Sequence, residues 1–90
     1  MGRLPDDVAE EARQVMRNIE AVLAASGLSC DDVVKTTNFL TGFDHYAAMN
    51  EAYAEFFRRP FPARSTVKVA GLVGGARIEI EAVAVRRSGR

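Results

Sequence analysis

Val8, Ala12, Val15, Met16, Ile19, Val22 and Leu23 recur at spacings of three and four, with Arg13, Arg17 and Glu20 off the stripe. That is one apolar face of an amphipathic helix. Asp6-Asp7 opens it with carboxylates at the positive end of the dipole, and Gly27 closes it. The spacing predicts a helix over about 7–26. After a turn at Ser29-Cys30-Asp31-Asp32 the period shortens. Val33, Val34, Thr36 and Thr37 lead to Phe39-Leu40 and predict a strand over 33–40, broken by Thr41-Gly42. Asp44 reads as the cap of a second helix over about 44–57, with Tyr46, Met49, Tyr53, Phe56 and Phe57 along its core face. Arg58-Arg59-Pro60 ends it. A strand over 63–71, a glycine turn over 72–76 and a strand over 77–86 read as an antiparallel hairpin, followed by a Ser88-Gly89-Arg90 tail.

The order α-β-α-β-β describes an α+β domain, one sheet with both helices on one face. A strand, a helix and a strand in succession imply a right-handed crossover. Parity then sorts the strand residues. Val67 and Val69 share a face, as do Ile78 and Ile80, and these aliphatic faces suit the helices. Arg64, Thr66, Lys68 and Glu79 then fall on the opposite face, together with Val83 and Val85. A face that mixes charges and aliphatics suits a subunit interface, so parity predicts an oligomer with polar residues at its contact.

Composition narrows the function classes. Ninety residues make one small domain, residues 1–90, and an apolar share of 48% argues against disorder. Twelve basic and twelve acidic residues cancel, which leaves no broad electrostatic footprint for a nucleic-acid partner. Cys30 is the single cysteine, so no internal disulfide forms and the chain reads as cytoplasmic. No apolar run is long enough for a membrane partner.

Few residues are placed for chemistry. Arg64, at a strand start after Pro60-Phe61-Pro62, offers a planar fork for a small carboxylate, or else a surface ion pair. Glu81 shares a face with Arg77 and reads as its structural partner. His45, the single histidine, reads as solvent-facing, which leaves nucleophilic catalysis through histidine without support. Cys30 has no partner nearby in sequence to bind a metal. Gly71, Gly74 and Gly75 serve a turn; no helix follows them to complete a phosphate cradle.

Phe61-Pro62-Ala63-Arg64-Ser65-Thr66-Val67, with Val69-Ala70 and Leu72, precedes Ile78-Glu79-Ile80-Glu81-Ala82-Val83-Ala84. This pair of segments resembles the C-terminal signature of the RidA/YjgF family, also called the reactive intermediate deaminase or L-PSP group. Leu23-Ala24-Ala25-Ser26-Gly27, Val34-Lys35-Thr36-Thr37 and Asn50-Glu51-Ala52-Tyr53 extend the resemblance to about 7–87. It implies a chorismate-mutase-like fold and a homotrimer with clefts between subunits. It also implies hydrolysis of 2-imino or enamine acids, such as 2-iminopropanoate, to 2-oxo acids and ammonia, with no cofactor or metal.

By position, the resemblance makes Arg64 the grip for the substrate carboxylate and Glu79 the catalytic acid–base that directs water. Thr66 lines the cleft where many members have cysteine, and Asn50 matches an asparagine near it. Position 11 is Glu where a helix glutamine is common. Relative to the family the usual N-terminal strands are missing, and with them part of the lining of the cleft. Three functions therefore compete. The first is an imine/enamine deaminase. The second is a non-catalytic small-carboxylate-binding or regulatory trimeric module. The third is an endoribonuclease, which the charge balance disfavours.

Overall fold

The structure, a computed structural model, describes residues 7–86. The start of the chain through Asp6 and the Ser88-Gly89-Arg90 tail lie outside the described residues. Helix α1 spans Val8–Ala25. Asp7 caps it, its Oδ1 accepting from the Ala9 N–H at 3.0 Å. At the far end Gly27 takes φ 74°, a conformation that favours glycine, and the Leu28 N–H closes onto the Leu23 carbonyl at 2.8 Å. The predicted stripe is buried at Ala12, Met16 and Leu23, but Val22 is 69% exposed and faces away from the core.

Strand β1 spans Val33–Leu40, as the run of β-branched residues predicts. A short 3₁₀ turn, Cys30–Asp32, leads into it. There Ser29 and Asp32 bond each other's backbone reciprocally. Helix α2 is shorter than the aromatic spacing implies. It spans Tyr46–Tyr53, preceded by a 3₁₀ turn, Phe43–His45. Asp44 lies inside that turn and does not cap the helix; no side chain does. Past Tyr53 the bonds loosen, ending with the Phe57 N–H to the Tyr53 carbonyl at 3.3 Å. The expected face of α2 is only partly core: Met49, Tyr53 and Phe57 are buried, whereas Tyr46 is 39% exposed.

Strands β2, Ala63–Lys68, and β3, Ile78–Ala84, do not form the expected hairpin. The order is β2-β1-β3, with β1 parallel to β2 and antiparallel to β3. The glycine segment does reverse the chain, with Gly74 and Gly75 at positive φ. It carries the chain across the end of β1 rather than back along β2. The central place falls to β1, whose Thr36, Asn38 and Leu40 are almost fully buried.

Register fixes the faces. Thr36, Asn38 and Leu40 pair with Arg64, Thr66 and Lys68 on one side and with Ala82, Ile80 and Ile78 on the other. Directly paired residues point to the same side of a sheet. Leu40, Ile78 and Ile80 pack in one core with Met16 of α1 and Met49 of α2, so this is the helix face. Arg64, Thr66 and Lys68 therefore belong to it, contrary to the parity expectation. Glu79 and Glu81 do lie on the outer face, with Phe39, Val67 and Val83. Parity gives the residues that share a face but not its direction. On edge strand β2 the aliphatic Val67 is turned outward and is 41% exposed.

Candidate active site

Arg64 enters from the edge strand and meets α2. Tyr46, Asn50 and Tyr53, at spacings of four and three, occupy one face of that helix. The Arg64 Nη1 donates to Asn50 Oδ1, and Nη2 donates to the Tyr46 hydroxyl at 3.1 Å. The guanidinium carbon lies 5.0 Å from the centre of the Tyr53 ring and 5.6 Å from that of Tyr46. Both distances are within cation–π range. Every partner of Arg64 is neutral, and among the described residues no carboxylate pairs with it. Its positive charge is therefore uncompensated and open to an anion.

Asn50, Tyr53, Ala54, Phe61, Pro62 and Arg64 line a cleft of about 290 Å³. One end is cationic and the wall is apolar, a combination that suits a small carboxylic acid with a short side chain. A larger concavity of about 700 Å³ adjoins it and shares Phe61 and Pro62. Its cations are engaged: Arg58 with Asp31 at 3.0 Å, and Arg59 over the Phe61 ring at 5.7 Å. The smaller cleft holds the open guanidinium and is the better candidate.

The remaining expected site residues are placed unevenly. Asn50 is brought onto Arg64 and into the cleft lining. Thr66 shares the helix face of β2 with Arg64, half-buried, next to Asn38 and outside the cleft lining. Glu79 is exposed on the other face of the sheet, on β3, with β1 between it and Arg64. Strands two apart are separated by roughly 9–10 Å in addition to the sheet thickness. One chain alone does not bring Arg64 and Glu79 together. His45 is half-buried, its Nδ1 3.8 Å from Asp44, rather than solvent-facing. Arg77, expected to meet Glu81, pairs with the buried Glu11 at 2.7 Å. Cys30 is a buried free thiol whose pKa is pushed up by burial and by the nearby charges of Glu20 and Asp31. Among the described residues no group of three His, Cys, Asp or Glu comes together to hold a metal, and no helix is long and apolar enough to cross a membrane.

Tyr46 and Tyr53 read as ordinary core in the sequence, yet they bracket the guanidinium. The available signal was the polar triad they form with Asn50 on one helical face.

An open arginine over a small half-apolar cleft, on a mixed sheet covered by two helices, defines an α+β domain with a cationic cleft at its sheet edge. The profile of the family described as endoribonuclease L-PSP matches residues 1–86, and the chain belongs to that family, the RidA/YjgF group. It is 47% identical over 89 residues to the 2-iminobutanoate/2-iminopropanoate deaminase of Escherichia coli K12, covering 96% of this chain and 70% of that protein. The crystal structure of the Escherichia coli YjgF gene product superposes with a TM-score of 0.89 at 47% identity, over 97% of this chain and 71% of that one. Escherichia coli TdcF with bound serine superposes with a TM-score of 0.90 at 41% identity, also over 97% and 71% of the two chains.

Proposed function

We propose that the protein is a 2-imino acid deaminase, converting R–C(=NH)–COO⁻ and water to R–CO–COO⁻ and ammonia at a site between chains of a homotrimer. The observation that carries this reading is the uncompensated Arg64 guanidinium over the 290 Å³ cleft, in a chain 47% identical to an imine deaminase. Arg64 takes the carboxylate, and the cleft wall at Phe61, Pro62 and Ala54 takes the side chain. Water adds to C2, a proton reaches the nitrogen, and ammonia leaves as the carbonyl forms. Glu79 is the proton carrier for this step, delivered from the outer face of a neighbouring chain. That face exposes Val67 at 41% and Val83 at 54%, an apolar surface suited to a second copy. Thr66, on the same face of β2 as Arg64 but outside the cleft lining, has no direct part in this step.

The test is to generate an imine from an amino acid with an oxidase and follow 2-oxo acid release. The wild-type chain accelerates release, and Arg64→Ala loses it by roughly a hundredfold, the worth of a charge-assisted bidentate pair. An Arg64→Ala variant as active as the parent overturns the reading.

A second reading, a carboxylate-binding module without turnover, has its own support. Within one chain the grip and the carboxylate lie on opposite faces of the sheet. Binding of a 2-oxo acid with no imine hydrolysis selects it. The family's description names an endoribonuclease, but a formal charge of zero gives a phosphate backbone little to hold.

A further inference from the structure

We infer that Tyr53 and Tyr46 are positioning residues for Arg64, an aromatic bracket that fixes the guanidinium before the ligand arrives. The inference rests on the reading of Arg64 as a carboxylate grip.

Thr36 and Arg64 are direct partners across the parallel pair β1–β2, both on the helix face. Tyr53 lies over both. Its hydroxyl is 2.8 Å from the buried Thr36 hydroxyl, and its ring centre is 5.0 Å from the Arg64 guanidinium carbon. Tyr53 is only 6% exposed, and its ring also packs 4.5 Å from that of Phe57. The ring is thus tied at its tip and held along its flank, so it is a fixed platform rather than a mobile cover. Tyr46, about two turns earlier on the same helical face and 39% exposed, accepts from the guanidinium on the solvent side through its hydroxyl at 3.1 Å.

A free arginine on an exposed edge strand keeps much side-chain rotational freedom, which an arriving carboxylate has to quench. Here the protein quenches it in advance. Asn50 and Tyr46 occupy two of the five N–H donors, one on each terminal nitrogen. Three donors remain, enough for a two-pronged carboxylate contact. The partners are neutral, so orientation is gained without loss of charge. Tyrosine suits this task because one end can be anchored in a dry core while the π-face attracts a cation.

The experiment titrates 2-oxobutanoate into the full chain by calorimetry and, in parallel, measures imine turnover. Tyr46→Phe, at an exposed position, removes one hydrogen bond and raises Kd and KM by roughly three- to tenfold, with kcat within twofold. Tyr53→Leu removes the platform and gives roughly tenfold or more. Tyr53→Phe keeps the platform but frees its tip, and falls between the parent and Tyr53→Leu. In an Arg64→Lys background, where no planar fork exists to orient, Tyr46→Phe has no further effect on binding. A role confined to folding would lower the melting temperature without this split or this dependence on Arg64. Unchanged Kd in folded Tyr46→Phe and Tyr53→Leu overturns the inference. Should Tyr53→Leu fail to fold, Tyr46→Phe decides it. If Arg64→Ala itself binds as the parent does, the grip reading fails instead, and the two failures are distinct.

Discussion

Glu11 and Arg77 tie the first helix to the start of the last strand. One carboxylate oxygen of Glu11 accepts from Arg77 Nε at 2.7 Å, and the other accepts from the backbone N–H groups of Arg77 at 2.8 Å and Ile78 at 3.3 Å. Glu11 is 2% exposed. A buried ion pair is weak evidence of net stabilisation, but removing Glu11 takes the acceptor from the backbone N–H groups of Arg77 and Ile78. Glu11→Ala is therefore expected to cost about 2–4 kcal/mol in urea denaturation. Glu11→Gln keeps one acceptor, so its loss is smaller. A Glu11→Ala midpoint within error of the parent would contradict this account.

Asn38 illustrates the opposite balance. It is fully buried on the helix face of β1, and its amide nitrogen and oxygen have no hydrogen-bond partner among the described residues. An unsatisfied buried amide costs about 1–3 kcal/mol. Its cross-strand neighbours are Thr66 and Ile80. Asn38→Val removes both polar atoms and suits a strand interior. A gain of about 1–2 kcal/mol at the urea midpoint is expected, with the slope unchanged.

The contrast between these residues shows what was legible in the sequence. Local periodicity found α1 and β1 almost to the residue, because apolar spacing is a local property. The pairing of β2 and β3 with β1 was not legible. A glycine turn signals reversal, and the reversal is there, but the lateral place of each strand depends on which one buries both of its edges. The direction of the Arg64 face was lost for a related reason: edge strand β2 turns Val67 outward, so aliphatic content misleads there. Arg64 reads as a candidate carboxylate grip from its place at a strand start, whereas Asn50 enters only through the resemblance. The bracket at Tyr46 and Tyr53 was not legible, since an aromatic stripe on a helix usually means core.

Cys30 carries the pH dependence that the structure supports. The thiol is 9% exposed, and burial, followed by the charges of Glu20 and Asp31, raises its pKa above the ordinary 9.0. The folded state therefore holds its proton more tightly than the unfolded state. The resulting stability is present below the unfolded value and is lost as pH rises through the folded one. Cys30→Ala is expected to flatten the alkaline fall in stability. Iodoacetamide, which needs the thiolate, is expected to label the folded chain at least tenfold more slowly than the urea-unfolded chain. Equal labelling rates would show that the thiol is neither buried nor shifted.

Arg64 and Glu79 provide the sharpest test of how the site is completed. They lie on opposite faces of the sheet with β1 between them, so a reaction that needs both draws one from each of two chains. Arg64→Ala and Glu79→Gln variants are then each inactive alone. Unfolded together at equal amounts and refolded, they assemble randomly. A site taking Arg64 from one chain and Glu79 from its neighbour is intact in about a quarter of cases, so activity returns to about that fraction of the parent. If Arg64 and Glu79 served within one chain, no arrangement of the two variants would restore a site, and the mixture would stay inactive. Val67→Asp on the outer face sharpens the result. It is expected to shift the solution mass toward the monomer and abolish turnover, while leaving 2-oxobutanoate binding at the Arg64 cleft measurable. Turnover by a chain that sedimentation shows to be monomeric would place the whole reaction within one subunit and remove Glu79 from it.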